Sequence, residues 1–359
     1  MRNFAVTRVL RSLAAASLMI AGVGLLMPAS AASPNDGGDA PTPPASTTIG
    51  VRAPISMNLA ESRHDSASRR DAVLEYWTPE RMAEAIPVEP PISVSGDGGG
   101  SGDMLREDPK PLRAVAQPTR PAGETPRRQT GPVTNFSHTN GKVFFTDAQG
   151  TDNFECSASA VSSGSQRMVI TAGHCVHGGP GKTWYHNWIF VPGYNNGTRP
   201  EGAFVAYALR TFSDWATYGG SARGYNSDVA FVTLYNNEYG ERVVDAVGGH
   251  GIVTGGGVSF ETDIFGYPAN LNDGQLMWAC SGTTGATVQA FYLFHRMSGC
   301  NFGTGSSGGP WLYQYDISSG QGMVRSVTSF GPVDSFDWMA APLFDDRLAG
   351  LYSLADADW

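Results

Sequence analysis

From Gly141 onward the chain alternates short apolar runs with glycine, proline and asparagine. Apolar runs of this length, bounded by turn residues, are typical of β-strands. Frequent strands without intervening helical periods favour a β-barrel or a β-sandwich. We predict strands at 142–146, 157–161, 168–171, 188–191, 204–209, 229–234, 258–265, 287–294, 310–315 and 323–329.

The end of the chain follows a different pattern. Phe344, Leu348, Leu351 and Tyr352 recur at the spacing of a helix with one apolar face. The sequence therefore predicts a C-terminal helix.

Residues 32–131 lack the composition of a core-forming domain, because proline, glycine and arginine dominate long stretches of them. Such a composition favours linkers and disorder. One island at 68–86 contains apolar residues and helix formers, and Pro79 divides it into two predicted short helices. We interpret 32–131 as a largely disordered pro-segment whose Trp77 region touches the domain that follows, the alternative being a plain N-terminal spacer. The pair Arg127-Arg128 is the predicted processing site.

The first 31 residues have the pattern of an export signal. Three arginines precede an apolar stretch at 13–27, and Ala29-Ser30-Ala31 offers small residues for cleavage. The alternative is a membrane anchor, but the stretch is shorter than the roughly 20 residues that span a bilayer. We expect a secreted, extracellular protein with no membrane association after signal removal.

Charge and cysteines are concentrated in residues 132–359. Of the 24 basic and 33 acidic residues, 14 of each lie in 1–131, so the later part holds 10 and 19 and carries the whole net charge of −9. An acidic surface repels phosphate, so we expect no nucleic-acid partner. All four cysteines lie there too, and an even number of cysteines outside the cytoplasm predicts disulfides.

The stretch 303–310 reads Gly-Thr-Gly-Ser-Ser-Gly-Gly-Pro and carries the strongest chemical signal. A serine flanked by glycines suits a nucleophile, because the backbone must approach the substrate closely. The amides of Gly305 and Ser307 can then face a developing oxyanion. The same letters satisfy the Gly-x-Ser-x-Gly motif of α/β-hydrolases, and they also suit an ordinary turn. An α/β-hydrolase places its histidine after the serine, whereas the last histidine here is His295.

His174 is the candidate for the base that a nucleophilic serine needs, a task that suits histidine as a residue type. It ends the predicted strand 168–171 and stands beside Cys175. Cys156 is well placed to bridge to Cys175 and to fix the histidine loop. The spacing of His174 and His177 also suggests a metal site, but no cluster of further ligands completes it, so we expect no metal and no cofactor.

A carboxylate must hold the histidine in the correct tautomer. Asp228 stands at the head of the apolar strand 229–234 and is the favoured candidate. Asp214 is the rival, although a weaker strand follows it. A turn or strand cap remains the ordinary alternative for an aspartate in this position.

Together these fragments resemble the chymotrypsin-like (trypsin-like) serine peptidases over about residues 142–330, and within them the secreted bacterial branch that includes glutamyl endopeptidases. The pieces at 141–145, 156–159 and 190–194 are similar to that branch. The resemblance implies an all-β domain of two antiparallel six-stranded barrels at 132–359. It also implies roles for His174 as general base, Asp228 as its orienter and Ser307 as nucleophile.

The resemblance further implies that Ser329, Phe330 and Gly331 form the strand that pairs with substrate, and that Asn301 lies under the substrate side chain. Cys280 and Cys300 are expected to form the second disulfide. Asn301 replaces the acidic residue of trypsin-type enzymes, and Thr328 stands where glutamate-specific members have histidine. We therefore expect an uncharged side chain before the cut.

Ser306 stands where trypsin-type members have the aspartate that receives the new N-terminal amine on activation. That particular activation switch is therefore unsupported in this chain.

The predicted function is peptide-bond hydrolysis through an acyl-enzyme, on protein or peptide substrates, by a monomer. Two alternatives stay open: a binding module that keeps the barrels without activity, and an esterase on the same fold.

Overall fold

The structure is a computed structural model that describes residues 47–56, 59, 66–88, 110–122, 137–332 and 335–359. All of them belong to one compact unit that spans 45–359. The predicted export signal at 1–31 and the predicted processing pair at 127–128 lie outside the described residues. Within the described ranges, no helix is long and apolar enough to cross a membrane.

Six antiparallel strands close into a first barrel, as predicted. Each strand pairs with two neighbours, in the order β4-β5-β6-β9-β8-β7 and back to β4. Large apolar side chains such as Phe144 and Phe190 fill the barrel core and are fully buried. The strands are β4 (Asn140–Thr146), β5 (Asn153–Val161), β6 (Met168–Thr171), β7 (His186–Pro192), β8 (Phe204–Phe212) and β9 (Ala230–Leu234).

The second barrel is built from the later strands, and its closure is less regular. Thr284 alone separates β12 from β13, so together they act as one bent strand between β11 and β14. The ring continues from β14 to β17, and a bridge from Ala340 to Phe330 joins β17 to the chain after β16. Pairing of β16 with β15, and of β15 with β11, completes six strands. A further strand, β10, lies outside this ring and pairs with β16 in parallel. The strands of this part of the chain are β10 (Gly251–Thr254), β11 (Glu261–Gly266), β12 (Trp278–Thr283), β13 (Gly285–Gln289), β14 (Tyr292–Ser298), β15 (Pro310–Asp316), β16 (Gln321–Val327) and β17 (Trp338–Pro342).

One predicted strand, 287–294, is wrong. The chain instead turns at Ala290 and Phe291, which have φ values of 42° and 75°, and forms a hairpin between β13 and β14. Neither residue type signals a turn, and Phe291 is 80% exposed, so its apolar character misleads a pattern-based prediction.

Short helices lie between the strands. A one-turn 3₁₀ helix at Gly173–Cys175 follows β6, and a second lies at Asn272–Gly274. The predicted C-terminal helix is confirmed at Arg347–Asp356, where Leu348 and Leu351 are buried against the first barrel. In chain order the α-helices of the two barrels are α3 (Ser213–Tyr218), α4 (Ala222–Tyr225), α5 (Val243–Val247) and α6 (Arg347–Asp356).

Three stretches of the predicted pro-segment are described, and each packs on the barrels. The predicted division of the island at Pro79 is confirmed: one helix ends at Tyr76, and Thr78 caps the next by accepting a bond from the Arg81 amide. Two strands extend the sheets, β1 along β8 and β3 along β10, both antiparallel. The elements are β1 (Thr48–Arg52), α1 (Ser66–Tyr76), α2 (Pro79–Ala83), β2 (Ile86–Pro87) and β3 (Arg113–Ala116).

Trp77 makes the deepest contact of these stretches. Its side chain is fully buried in the core of the first barrel, and its indole N–H donates to the Asn187 carbonyl at 2.6 Å. The predicted contact of the Trp77 region with the enzyme is therefore present.

Candidate active site

The 3₁₀ turn after β6 presents His174, and two contacts to Asp228 fix it. The backbone N–H of His174 donates to Oδ1 of Asp228 at 2.8 Å, and Nδ1 of the ring lies 2.8 Å from Oδ2. Gly173 is required next to it, because a Cβ there would lie 2.9 Å from the Thr211 hydroxyl and from the Trp215 ring. Both side chains of the pair are buried.

Asp228 lies at the head of β9 and has a third donor that sequence reasoning missed. The hydroxyl of Ser329 donates to Oδ2 at 2.6 Å. Because an ionised carboxylate can only accept a hydrogen bond, the Nδ1 atom of His174 carries the proton and donates it to Asp228. The lone pair of Nε2 is then free to act as a base. Asp214, the rival, is instead 3.1 Å from the Arg223 guanidinium.

Ser307 lies on the loop before β15, and this loop packs against β5 and β6. The Ser157 amide donates to the Ser307 carbonyl at 2.7 Å. Gly308 has φ = +78°, and a Cβ there would overlap the Thr171 hydroxyl, so only glycine fits between the nucleophile loop and β6. In this structure Nε2 of His174 is buried and has no hydrogen-bond partner among the described residues. Catalytic hydrogen bonds of this kind often form only when substrate binds.

The peptides Thr304–Gly305 and Ser306–Ser307, whose amides are the predicted oxyanion donors, both have their carbonyls hydrogen-bonded. The Thr304 carbonyl accepts a bond from the Ala269 amide at 2.8 Å, and the Ser306 carbonyl accepts one from Gly309 at 3.0 Å. In a trans peptide the next N–H points away from that carbonyl, so the amides of Gly305 and Ser307 both face away from these partners. No acceptor for either amide occurs within the part of the chain described.

Ser306, which replaces the trypsin-type aspartate, stabilises this loop from within. Its hydroxyl donates to the Gly303 carbonyl at 2.6 Å, and its amide lies 3.3 Å from the same oxygen. The loop therefore adopts this turn without the new amine terminus that the aspartate of trypsin-type members receives.

A cavity of about 170 Å³ opens beside Ser307. Three of the predicted substrate residues, Ser329, Phe330 and Gly331, line it, whereas Asn301 does not. Asn301 is exposed, and its carbonyl accepts a bond from the Asn270 side chain at 2.9 Å. Among the described residues, none that lines the cavity carries a charge. Most of the apolar lining residues come from irregular loops that sequence patterns do not place. The lining residues are Phe302, Gly303, Thr304, Ser306, Ser307, Thr328, Ser329, Phe330, Gly331, Pro332, Ser335, Phe336, Trp338 and Met339.

Both predicted disulfides are present, and the described residues contain no free cysteine. Cys156 of β5 bonds to Cys175 and so ties the histidine turn to the barrel. Cys280 of β12 bonds to Cys300 at the start of the nucleophile loop.

His177 and the tryptophans near it have structural contacts. The His177 ring accepts a bond from the Gly179 amide at 3.1 Å, and burial lowers its pKa. Its carbonyl accepts the indole N–H of Trp215 at 2.7 Å. Trp188 is buried, and its indole N–H donates to the Cys175 carbonyl at 3.0 Å, so this side chain supports the turn that carries His174.

Solved protease structures are similar to this chain, although no family model and no curated protein sequence matches it. Protease Anisep from Arthrobacter nicotinovorans is 32% identical with a TM-score of 0.55, and the match covers 62% of this chain and 98% of that one. A thermostable serine protease AL20 from an extremophilic microorganism has the same identity and coverages, with a TM-score of 0.53. A solved glutamyl endopeptidase, at 18% identity and a TM-score of 0.48, is too distant to place the chain in that branch.

A relative that is 32% identical over 98% of its own chain shares a common fold and ancestry with this protein. The chain therefore belongs to the chymotrypsin-like family of serine peptidases.

Proposed function

We propose that this protein is a serine endopeptidase that cleaves peptide bonds through an acyl-enzyme on Ser307. The observation that carries the proposal is the pair of 2.8 Å contacts from Asp228 to His174, which leave Nε2 without a partner among the described residues. The nucleophile loop lies next to the histidine turn, because Sγ of Cys175 is 3.8 Å from the Ser307 carbonyl.

In the proposed mechanism, Nε2 of His174 takes the proton of the Ser307 hydroxyl as its oxygen attacks the substrate carbonyl. The amides of Gly305 and Ser307 donate to the oxyanion that forms. His174, now protonated and held by Asp228, returns the proton to the leaving amine. Water then attacks the acyl group by the same steps in reverse order, with His174 again taking the proton.

The test is covalent labelling of the processed protein with a peptidyl phosphonate, followed by mass mapping of the adduct. We expect one adduct, on Ser307, and cleavage of a peptide amide substrate. Ser307→Ala is the matched control and must lose both. A folded protein that forms no adduct supports the binding module, and turnover of esters without amides supports the esterase.

We also propose that the residue before the cut is uncharged. The cavity beside Ser307 has aromatic and hydroxyl-bearing walls, and no lining residue within the described part of the chain is charged. A charged substrate side chain would lose hydration there without gaining a partner among those residues. Profiling with a peptide library tests this, and a dominant preference for Arg, Lys or Glu would contradict it.

Processing and location belong to the proposal as well. We propose that 1–31 is removed on export, that 32–131 is a pro-segment cut at Arg127-Arg128, and that the secreted form is a monomer acting on protein or peptide substrates. The two disulfides fit an oxidising compartment. N-terminal sequencing of the secreted form tests the cut, and a start before Arg113 would contradict it.

A further inference from the structure

A buried ion pair lies behind the loop that carries Gly305. Lys142 of β4 and Glu155 of β5 form it, and both side chains are almost completely shielded from solvent. The Lys142 ammonium also donates to the Gly274 carbonyl at 2.7 Å. Three aromatic rings surround it, with centroids 5.3 Å away for Phe144, 5.2 Å for Tyr194 and 5.8 Å for Tyr267.

Such a pair contributes little to stability as a rule. Removing two charges from water costs several kcal/mol per ion, and well-packed apolar residues of the same size often stabilise as well or better. A pair retained at the interface between a barrel and a catalytic loop therefore suggests a purpose other than stability.

The pair contacts the proposed oxyanion hole directly. A Cβ added to Gly305 would lie 3.3 Å from Oε1 of Glu155, and one added to Gly274 would lie 2.8 Å from the same oxygen and 3.3 Å from the Lys142 nitrogen. The carboxylate therefore packs against the backbone of Gly305, on a peptide whose amide is proposed to bind the oxyanion.

Other bonds hold the same residue. The Ser157 hydroxyl donates to the Gly305 carbonyl at 2.8 Å and accepts a bond from the Tyr267 amide at 2.9 Å. The Tyr267 carbonyl lies 2.5 Å from where a Cβ on Gly305 would be, so only glycine fits beside it. The Ser157 bond therefore fixes the Gly305 carbonyl, and the Glu155 carboxylate lies next to the same residue.

We propose that Lys142 and Glu155 are a positioning pair for the Gly305 amide, in which Glu155 supports the backbone and Lys142 cancels its charge. The inference rests on the proposed function, because it assigns a role within the same reaction. An unpaired carboxylate in this place would repel the oxyanion, since Coulomb interactions weaken little in a dry interior.

The variant Lys142→Met tests the charge directly. Removing the ammonium also removes the interaction that opposes the rise of the Glu155 pKa, so the carboxyl ionises at a higher pH in this variant than in the wild type. We expect kcat relative to the wild type to fall with rising pH, at least tenfold once Glu155 is ionised, with KM changed less than threefold, because ground-state binding does not involve the oxyanion. Affinity for a peptide boronic acid should fall in parallel with kcat, while affinity for the product peptide stays constant. At lower pH, where Glu155 takes up a proton, kcat relative to the wild type should recover.

The double variant Lys142→Met/Glu155→Gln separates charge from packing. It leaves no carboxylate, so we expect kcat within about threefold of the wild type at every pH. The titratable groups that face the pair are Tyr194 and Tyr267, whose pKa values burial raises far above this range. β2 pairs with β5 at Glu155, and the Val88 amide that follows β2 donates to the Glu155 carbonyl, so neither adds a titratable group. These groups do not account for a pH-dependent change.

Arg210→Met is the control, because the Arg210–Asp358 pair joins β8 to the C-terminus away from the site. It should leave kcat and its pH profile unchanged. If Lys142→Met does not fold, the double variant and Glu155→Gln must still keep kcat within threefold, and a loss above tenfold in both overturns the proposal. A Lys142→Met enzyme with wild-type kcat overturns it as well. A wild-type protein that cleaves no peptide at all instead refutes the proposed function.

Discussion

The hydroxyl of Ser329 donates a 2.6 Å hydrogen bond to the buried carboxylate of Asp228, on the oxygen that also faces the His174 ring. Ser329 follows β16 and lines the cavity beside Ser307. One residue thus contributes a side chain to the proposed triad and lines the cavity proposed to hold the substrate.

Ser329→Ala should slow the enzyme without unfolding it. A hydrogen bond to a charged group contributes about 1.5–3 kcal/mol, and part of that holds Asp228 where it orients His174. We expect kcat/KM to fall about tenfold, with the pKa on the acidic limb of the pH–rate profile shifted. Steady-state kinetics across pH 5–9 measures both quantities.

Ser326→Ala is the matched control for that substitution. Ser326 is also fully buried and lies on β16, but its hydroxyl donates to the Pro342 carbonyl at 2.5 Å. It should reduce the free energy of unfolding while leaving the pH–rate profile in place. Equal kinetic effects of the two substitutions would show that Ser329 acts only through general packing.

The two disulfides allow a second comparison, because they close loops of nearly equal length. Cys156 and Cys175 are 19 residues apart, and Cys280 and Cys300 are 20 apart. Chain entropy therefore predicts a similar loss of about 3 kcal/mol of stability when either is replaced by a pair of serines. Only the first disulfide holds the turn that carries His174.

We expect Cys156→Ser/Cys175→Ser to lose kcat at least tenfold more than Cys280→Ser/Cys300→Ser at matched stability. Urea denaturation gives the stabilities, and phosphonate labelling rates give the reactivity of Ser307. If both variants lose activity only in proportion to the unfolded fraction, the first disulfide has no special role at the site.

Candidate site residues can be predicted from the sequence where they lie in a motif of residues adjacent in the chain. The motif around Ser307 and the strand before His174 are local, and chain order alone excludes an α/β-hydrolase. The strand pattern predicts an all-β domain, a barrel or a sandwich, for the same reason, because each strand has its own apolar run and turn residues. The two barrels follow from the family resemblance. Choosing Asp228 over Asp214 depends on one further observation, which is that the apolar strand after Asp228 is stronger than the one after Asp214.

The failures share a dependence on tertiary contacts. No local signal shows that the Ser329 hydroxyl meets Asp228, or that Lys142 and Glu155 are buried together on paired strands. Asn301 was placed by counting back from Ser307, but a left-handed backbone at Asn301 turns it outward, with φ = 54°. The sequence predicts that the Trp77 region contacts the rest of the protein, but only the structure shows that its partner is the Asn187 carbonyl on β7.

Trp77→Ala should destabilise the full-length chain strongly, because it leaves a large cavity in the core of the first barrel. Truncation of a buried tryptophan costs about 3–5 kcal/mol. Urea denaturation measures the loss, and Trp278→Ala, at a residue 39% exposed, is the control and should cost far less. A loss below about 1 kcal/mol for Trp77→Ala would show that this part of the predicted pro-segment does not stabilise the barrel in solution.

Glu155 should make stability depend on pH in a defined window. Burial raises the pKa of its carboxyl from an ordinary 4.5 to about 7, although the Lys142 ammonium opposes the shift. Between these values the folded protein binds the proton more tightly than the unfolded chain, so stability from this group is full below pH 4.5 and is lost as pH rises to about 7.

The Glu155→Gln variant lacks this titration. Its free energy of unfolding, subtracted from that of the wild type, should therefore give a difference that falls with pH across this window, by at most about 1.4 kcal/mol per unit, and is flat on either side. Urea denaturation at half-unit steps from pH 4 to 8 measures the difference, and a difference that rises with pH would mean that Lys142 holds Glu155 ionised throughout.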